Sequence, residues 1–192
     1  MTDSAAPRQP QAFAIWREAQ DTRSRSTLGG IYYLLAWLLT WLFSTSPMTQ
    51  LGLGLAIAAL FALLLVLRLL HHLPSEQSPE AMQHWLNRQW GLILLTALSW
   101  GLIYALVLSH PLLSSATTIA TLSTVAFSTA MSFNFAMRRG RATLALLLLY
   151  LPGLLIMALA WGEQSATLIT LAAYLSYLLL ALNRSHREYH AT

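Results

Sequence analysis

The sequence has 192 residues, of which 9% are charged and 56% are hydrophobic. An ordinary soluble domain has about 25% charged residues, which coat its surface, so these totals exclude a solvated globular fold. The net charge of +4 is better explained by arginines that mark one side of a membrane than by a nucleic-acid site, and no nucleic-acid partner is expected.

Charged residues are absent from four long apolar blocks. The blocks lie between Arg25 and Arg68, Arg88 and Arg138, Arg141 and Glu163, and Glu163 and Arg184. A hydrocarbon layer about 30 Å thick needs about 20 apolar residues per helix, so the blocks correspond to two, two, one and one spans. The sequence therefore predicts an all-α polytopic membrane protein with six transmembrane helices in a compact bundle, at residues 28–46, 51–70, 90–108, 112–137, 143–161 and 166–182.

The ends of the chain are polar and flank the predicted bundle 28–182. Residues 1–27 are expected to form a cytoplasmic segment with a short interfacial amphipathic helix, in which Phe13 and Trp16 enter the lipid. Residues 183–192 are expected to form a cytoplasmic tail that could begin a signalling helix.

The arginines predict the orientation. All 11 basic residues fall on one side of the predicted spans, and the opposite connections 46–50, 109–111 and 162–165 contain no arginine or lysine. Because such a bias marks the cytoplasmic side, both termini are expected in the cytoplasm. No charged residue is expected near the middle of a span, which argues against a pump or an ion-coupled transporter.

Span four is unusually rich in hydroxyl groups, and five of them are expected on one helical stripe: Ser114, Thr118, Thr121, Ser128 and Ser132. Such hydroxyls can bond back to a carbonyl one turn earlier. They can equally line a pocket for a small amphiphilic ligand. Both interpretations remain open at this point.

Span five contains a candidate hinge at Pro152 and Gly153. Proline removes a backbone donor and clashes with the preceding turn, which predicts a kink. That kink can serve as a hinge for signalling or as a static packing feature.

The sequence offers no residues typical of catalysis. It has no cysteine, and it shows no Ser-His-Asp order, no intramembrane carboxylate pair and no phosphate-binding glycine loop. We therefore expect no catalytic, cofactor or metal site, and no enzymatic activity.

Several short features together resemble the six-helix amino-terminal input modules of bacterial sensor histidine kinases and of diguanylate cyclases with GGDEF output domains. Within residues 12–190 they are an amphipathic first segment, Trp85-Leu86-Asn87-Arg88, Ser99-Trp100-Gly101, the hydroxyl-rich span four, Tyr150-Leu151-Pro152 and Ser185-His186-Arg187-Glu188-Tyr189. The resemblance implies a module that detects a signal at the membrane and passes it through span six to a cytoplasmic output domain, usually as a dimer.

The leading hypothesis is therefore a non-catalytic sensory module in the lipid bilayer, which forms a homodimer or binds a cytoplasmic signalling partner. Any kinase or cyclase activity would reside in a domain absent from this chain. Alternatives are a small transporter or channel component, or a structural subunit of a membrane complex. The sequence does not identify the ligand.

The predicted topology can be tested with reporter fusions. Fusions after Ser46, His110 and Gln164 are expected to report the non-cytoplasmic side, and fusions after Ser78, Gly140 and Ala191 the cytoplasmic side. A phosphatase reporter and a fluorescent reporter at each site together identify the side of the membrane on which that site lies. A single site that reports the opposite side would contradict the six-span arrangement.

Overall fold

The computed structural model describes residues 8–75 and 78–191, and in that part of the chain every regular element is a helix. Side chains are described for residues 13–75 and 78–189. The first seven residues and Thr192, which belong to the predicted terminal segments, lie outside the described residues. The α-helices found there are α1 (Arg8–Leu42), α2 (Leu51–Leu70), α3 (Pro79–Ser109), α4 (Thr117–Asn134), α5 (Arg139–Leu159) and α6 (Trp161–Ala191).

The predicted second span coincides with α2, whereas the other predicted bounds differ from the helices. α3 begins well before residue 90, because Ser78 caps it by accepting a 3.2 Å hydrogen bond from the Ala81 N–H and Pro79 occupies its first turn. The predicted span 112–137 corresponds to α4 together with the short helices that flank it. Pro111–Ala116 and Ala136–Arg138 form 3₁₀ helices on either side of α4.

The predicted short interfacial helix is instead the first half of α1, which continues for 35 residues. Two of its apolar side chains, Ile15 and Trp16, are half-buried and pack against a cluster formed by Ala19, Met82, Trp85 and Leu86. Phe13 remains exposed. At its other end α1 stops at Leu42, so the helix ends before the predicted residue 46. The contact between α1 and α3 explains why α1 does not break near residue 27.

Within residues 8–75 and 78–191, five helical segments are long and apolar enough to cross a membrane, namely α2, α3, α4 with its preceding 3₁₀ helix, α5 with the 3₁₀ helix before it, and α6. This supports the all-helical membrane architecture. α1 is not among them, because its apolar part begins only after Thr27 and includes four aromatic residues with polar atoms, Tyr32, Tyr33, Trp37 and Trp41. The sixth span and the direction of the termini remain predictions.

Three helices are longer than a bilayer requires. α1, α3 and α6 have 35, 31 and 31 residues, or about 46–53 Å, against a hydrocarbon layer of about 30 Å. Their polar parts meet, because Arg138 binds both Glu18 of α1 and Gln83 of α3. The Nδ1 atom of His186 on α6 donates to the carbonyl of Ala136. We call this region the polar end; it comprises residues 8–27, 71–75, 78–89, 135–142 and 183–191.

α3 lies at the centre of the bundle and contacts α1, α2, α4 and α5. α2 packs on α1 and α3 at one edge, and α6 packs on α4 and α5 at the other. The interior is filled by large side chains that are almost fully buried, among them Trp37, Phe61, Trp90, Trp100, Tyr104 and Tyr150. This arrangement places α4 between α1 and α6, where its polar side chains can reach three neighbouring helices.

α3 and α5 approach most closely at Gly101. Pro152 has no N–H to donate to the carbonyl of Leu148 four residues earlier, and a β-carbon built on Gly101 would overlap that same carbonyl oxygen. Gly153 is also required for contact, since its β-carbon would lie 2.7 Å from the Tyr104 ring. The glycines and the proline thus serve one helix contact, of the kind in which small residues let backbones meet in lipid.

The contact predicts an asymmetry between two glycines of α3. Gly101→Ala is expected to cost about 1–3 kcal/mol, because the added methyl group meets backbone rather than a movable side chain. Gly91→Ala is the matched control, since nothing lies within 4 Å of its β-carbon. Unfolding of both variants in micelles measures the difference, and equal stability of the two would contradict the packing described.

Candidate functional site

The hydroxyl groups of α4 bond to aromatic side chains of three other helices. From α3, the Trp100 indole donates to Thr124 (2.9 Å) and the Tyr104 hydroxyl lies 2.8 Å from that of Thr121. The Tyr150 hydroxyl of α5 lies 2.8 Å from Ser128 Oγ, and the Tyr174 hydroxyl of α6 lies 2.7 Å from Thr129 Oγ1. These pairs fasten α4 to the bundle, because a hydroxyl in hydrocarbon is stabilised by a partner on another helix.

The predicted stripe is therefore only partly brought together. Thr121, Ser128 and Ser132 face the protein, and Ser132 donates to the carbonyl of Ser128 (3.0 Å). Thr118 is exposed. Ser114 lies in the 3₁₀ helix before α4, is exposed, and donates to the carbonyl of Pro111. The α-helical period did not apply to Ser114, since the α-helix begins three residues later.

Sequence reasoning missed Thr124 and Thr129 as members of this set. The 3.6-residue stripe excluded them, yet partners on α3, α5 and α6 approach α4 from different directions. The signal in the sequence was the presence of tyrosine and tryptophan inside three neighbouring spans. Each needs an acceptor when it is buried.

The candidate hinge lies inside α5. α5 continues as a helix through Pro152 to Leu159. Pro152 is half-buried and Gly153 is buried against α3. A hinge function for these two residues stays a prediction.

Arg68 is the most unusual side chain of the bundle. It lies in the last turn of α2 and is only 2% exposed. Its guanidinium donates to the carbonyl of Ser26 on α1 (2.6 Å) and to Thr96 Oγ1 on α3 (2.7 Å). A longer bond of 3.4 Å reaches the carbonyl of Leu92. Arg68 thus ties three helices together.

The charge of Arg68 is solvated by neutral groups. Among the described residues no carboxylate lies within ion-pair distance of it, and its Nε atom has no hydrogen-bond partner. A buried charge without a counter-ion is costly unless hydrogen bonds or another charge compensate for it. The Arg68 side chain passes close to Gly29 and Gly30 of α1, whose β-carbons would lie 3.9 Å and 3.5 Å from its Nη1 atom.

A chain of hydrogen bonds leads from Arg68 towards the polar end. Buried Gln89 donates to Ser26 Oγ (2.5 Å), and its Oε1 atom lies 2.8 Å from Nδ1 of His71. The His71 ring stacks on Trp85 at 5.0 Å. These side chains connect the buried arginine to the loop between α2 and α3 through hydrogen-bond donors and acceptors.

A cavity of about 220 Å³ lies beside Arg68 between α1 and α4. Tyr33 and Phe127 form part of its apolar wall, and Arg25 and Arg68 supply its charged groups. Arg25 also donates to the carbonyl of Asn134 at the end of α4. None of the five hydroxyl residues of the predicted stripe lines this cavity.

Sequence reasoning placed Arg68 at the edge of a loop, as one more arginine of the cytoplasmic side. The signal that distinguished it was its position inside the predicted span 51–70, with apolar residues on both sides. Only the tertiary structure shows that α1 and α3 supply hydrogen-bond acceptors beside the Arg68 guanidinium. Sequence periodicity carries no information about these partners.

The polar end contains a second cluster of charged and polar groups. Arg138 and Glu18 form an ion pair (2.6 Å), and Arg141 donates to Asn87 Oδ1 (2.5 Å). His186 joins this cluster through Ala136. Within the described residues no group of three or more histidine, aspartate or glutamate side chains is placed to hold a metal ion.

The contribution of the cross-helix hydroxyl pairs can be measured with a double-mutant cycle. Ser128→Ala and Tyr150→Phe are expected to show a coupling energy of about 0.6–1.7 kcal/mol, as is typical of interhelical hydrogen bonds in membranes. The control cycle combines Ser128→Ala with Tyr177→Phe, because Tyr177 is exposed on α6. A Ser128–Tyr150 coupling no larger than that control would show that the bond does not stabilise the bundle.

No protein-family model, curated protein or solved structure matches this chain. The resemblance to sensor input modules therefore stays a prediction from short sequence features. The function of this chain has to be argued from its own helices and side chains.

Proposed function

We propose that this chain is a non-catalytic sensory module of a bacterial signalling protein, which spans the inner membrane six times with both termini in the cytoplasm. It would relay a signal to an output domain of the histidine-kinase or diguanylate-cyclase type, as a homodimer or through a separate signalling partner. Any kinase or cyclase activity would belong to that output domain.

The observation that carries the proposal is the course of α6. This helix continues without interruption from the apolar segment to Ala191 and crosses the polar end. A continuous helix transmits a rotation or a shift along its axis, which a flexible connection does not. α6 is therefore suited to carry a change inside the bundle to a cytoplasmic domain.

The contacts of α6 supply a source for such a change. Within the bundle, Tyr174 bonds to Thr129 of α4. Further along, His186 donates to Ala136, which begins the 3₁₀ helix after the end of α4. α4 and the 3₁₀ helix that follows it thus hold α6 at two levels, so a movement of α4 would be communicated to the cytoplasmic part of α6.

The transporter alternative receives less support from the side chains. It requires polar groups that a substrate can reach, whereas Thr121, Thr124 and Ser128 are bonded to aromatic side chains of other helices. Substrate-dependent flux in proteoliposomes, abolished by bulky replacements of Thr121 or Ser128, would favour transport over sensing.

The sensory proposal can be tested by rotating an attached output domain relative to α6. The full chain is fused after Thr192 to a diguanylate cyclase domain through a helical linker, and one to seven alanines are inserted at the junction. Because each residue turns a helix by about 100°, cyclase output is expected to rise and fall with the number of inserted residues, with a period near 3.6. Cyclic dinucleotide measured in cells reports the output.

A pair of variants tests the contact that holds α6. His186→Ala is expected to change cyclase output at least about fivefold, because it releases α6 from Ala136. Arg184→Ala is the matched control, since Arg184 is exposed and pairs with Glu188 on the same helix. Output that is independent of linker length and equal in both variants would overturn the proposal.

A further inference from the structure

The cavity between α1 and α4 opens to the outer surface of the bundle. Several of the residues that line it are also exposed, namely Leu28, Tyr32, Ala130 and Asn134. Leu28 and Tyr32 lie on the apolar part of α1, and Ala130 lies on the facing side of α4. A molecule could therefore enter from the side, between two apolar helices, without crossing the protein interior.

The size of the cavity fits part of an organic molecule. Its volume of about 220 Å³ exceeds, more than tenfold, the roughly 10–15 Å³ that a single water needs. Tyr33, Ile93 and Phe127 give it an apolar interior. That space suits a head group and the first carbons of one alkyl chain, while the rest of such a chain can leave through the lateral opening.

The charge of the cavity is positive and unbalanced. Arg25 and Arg68 line it, and no carboxylate does. The Arg68 side chain is only 2% exposed. It has no ion-pair partner among the described residues, and its Nε atom has no hydrogen-bond partner. An anion placed between the two guanidinium groups would provide the counter-charge that the bundle does not supply.

From the opening, the apolar wall and the two arginines, we infer that this cavity binds a single-chain anionic amphiphile, whose carboxylate or phosphate head lies between Arg25 and Arg68. The alkyl chain passes along Phe127 and leaves between Leu28 and Ala130. This inference goes beyond the sensory proposal and does not depend on it, because binding can occur whether or not the chain signals.

The test measures binding to the purified full chain in a neutral maltoside detergent by native mass spectrometry. Oleate and oleoyl lysophosphatidate, which carry the two anionic heads, are expected to bind at one molecule per chain. Oleyl alcohol, which has the same chain without the charge, is expected to bind at least about tenfold more weakly, since a hydrogen bond to a charged group is stronger than one between neutral groups. Inorganic phosphate alone is expected to show no binding.

Two alanines of α4 make a matched pair of variants. Ala130→Phe fills the opening of the cavity and is expected to weaken oleate binding at least about tenfold. Ala126→Phe adds the same group one turn earlier, on an exposed position that does not line the cavity, and is expected to bind oleate like the unaltered chain. Neither change touches a buried side chain, so both proteins should fold.

The charged groups are tested separately. Arg25→Gln is expected to weaken oleate binding while it leaves oleyl alcohol binding unchanged, and Arg25 is preferred to Arg68 because Arg68 also joins three helices. Equal binding of oleate and oleyl alcohol, binding of phosphate as strong as that of oleate, or full oleate binding by Ala130→Phe would each overturn the inference.

Discussion

A polar group buried among these helices has to find its partner inside the bundle, because hydrocarbon offers none. The indole of Trp37 reaches the carbonyl of Gly54 (2.9 Å), and that of Trp41 reaches Pro47 (3.0 Å), so both fasten α1 to α2 or to the loop before it. The guanidinium of Arg68 also finds its hydrogen-bond partners inside the bundle, although it carries a full charge. Its acceptors lie on α1 and α3, and the position of these three helices is therefore tied to a single side chain.

The helices satisfy this constraint in two different ways. α3 and α5 meet through the backbone: Pro152 leaves the Leu148 carbonyl without its usual donor, and Gly101 lies directly against that carbonyl. α4 contacts its neighbours through side chains, since four of its hydroxyl groups, those of Thr121, Thr124, Ser128 and Thr129, meet a tyrosine or tryptophan. Backbone contacts leave little room for movement. Hydrogen bonds between membrane helices contribute only about 0.6 kcal/mol on average, which makes α4 the better candidate for a moving element.

Much of the fold was predictable from the sequence, and most of the site was not. Segment 51–70 was predicted to the residue, because its apolar composition is uniform and polar residues bound it. α1 was predicted as two pieces, since the apolar pattern changes near residue 27, but packing of Trp16 on α3 keeps the helix intact. The stripe on α4 included Ser114 because one period was applied across a change from 3₁₀ to α-helix. It omitted Thr124 because the partner of that hydroxyl, Trp100, approaches α4 from another direction. Arg68 could not be recognised, since its burial is a property of three helices together.

The end of α4 connects the two regions on which the proposals depend. Phe135, which follows α4, lines the cavity beside Arg68 and Arg25. The next residue, Ala136, begins the 3₁₀ helix and accepts the hydrogen bond from His186 of α6. Arg25 binds the carbonyl of Asn134, so a head group that drew Arg25 into the cavity would compete with a bond that holds the end of α4. Occupation of the cavity and the position of α6 at the polar end are thus linked by three consecutive residues. A ligand that changes this segment acts on α6 without a long pathway through the bundle.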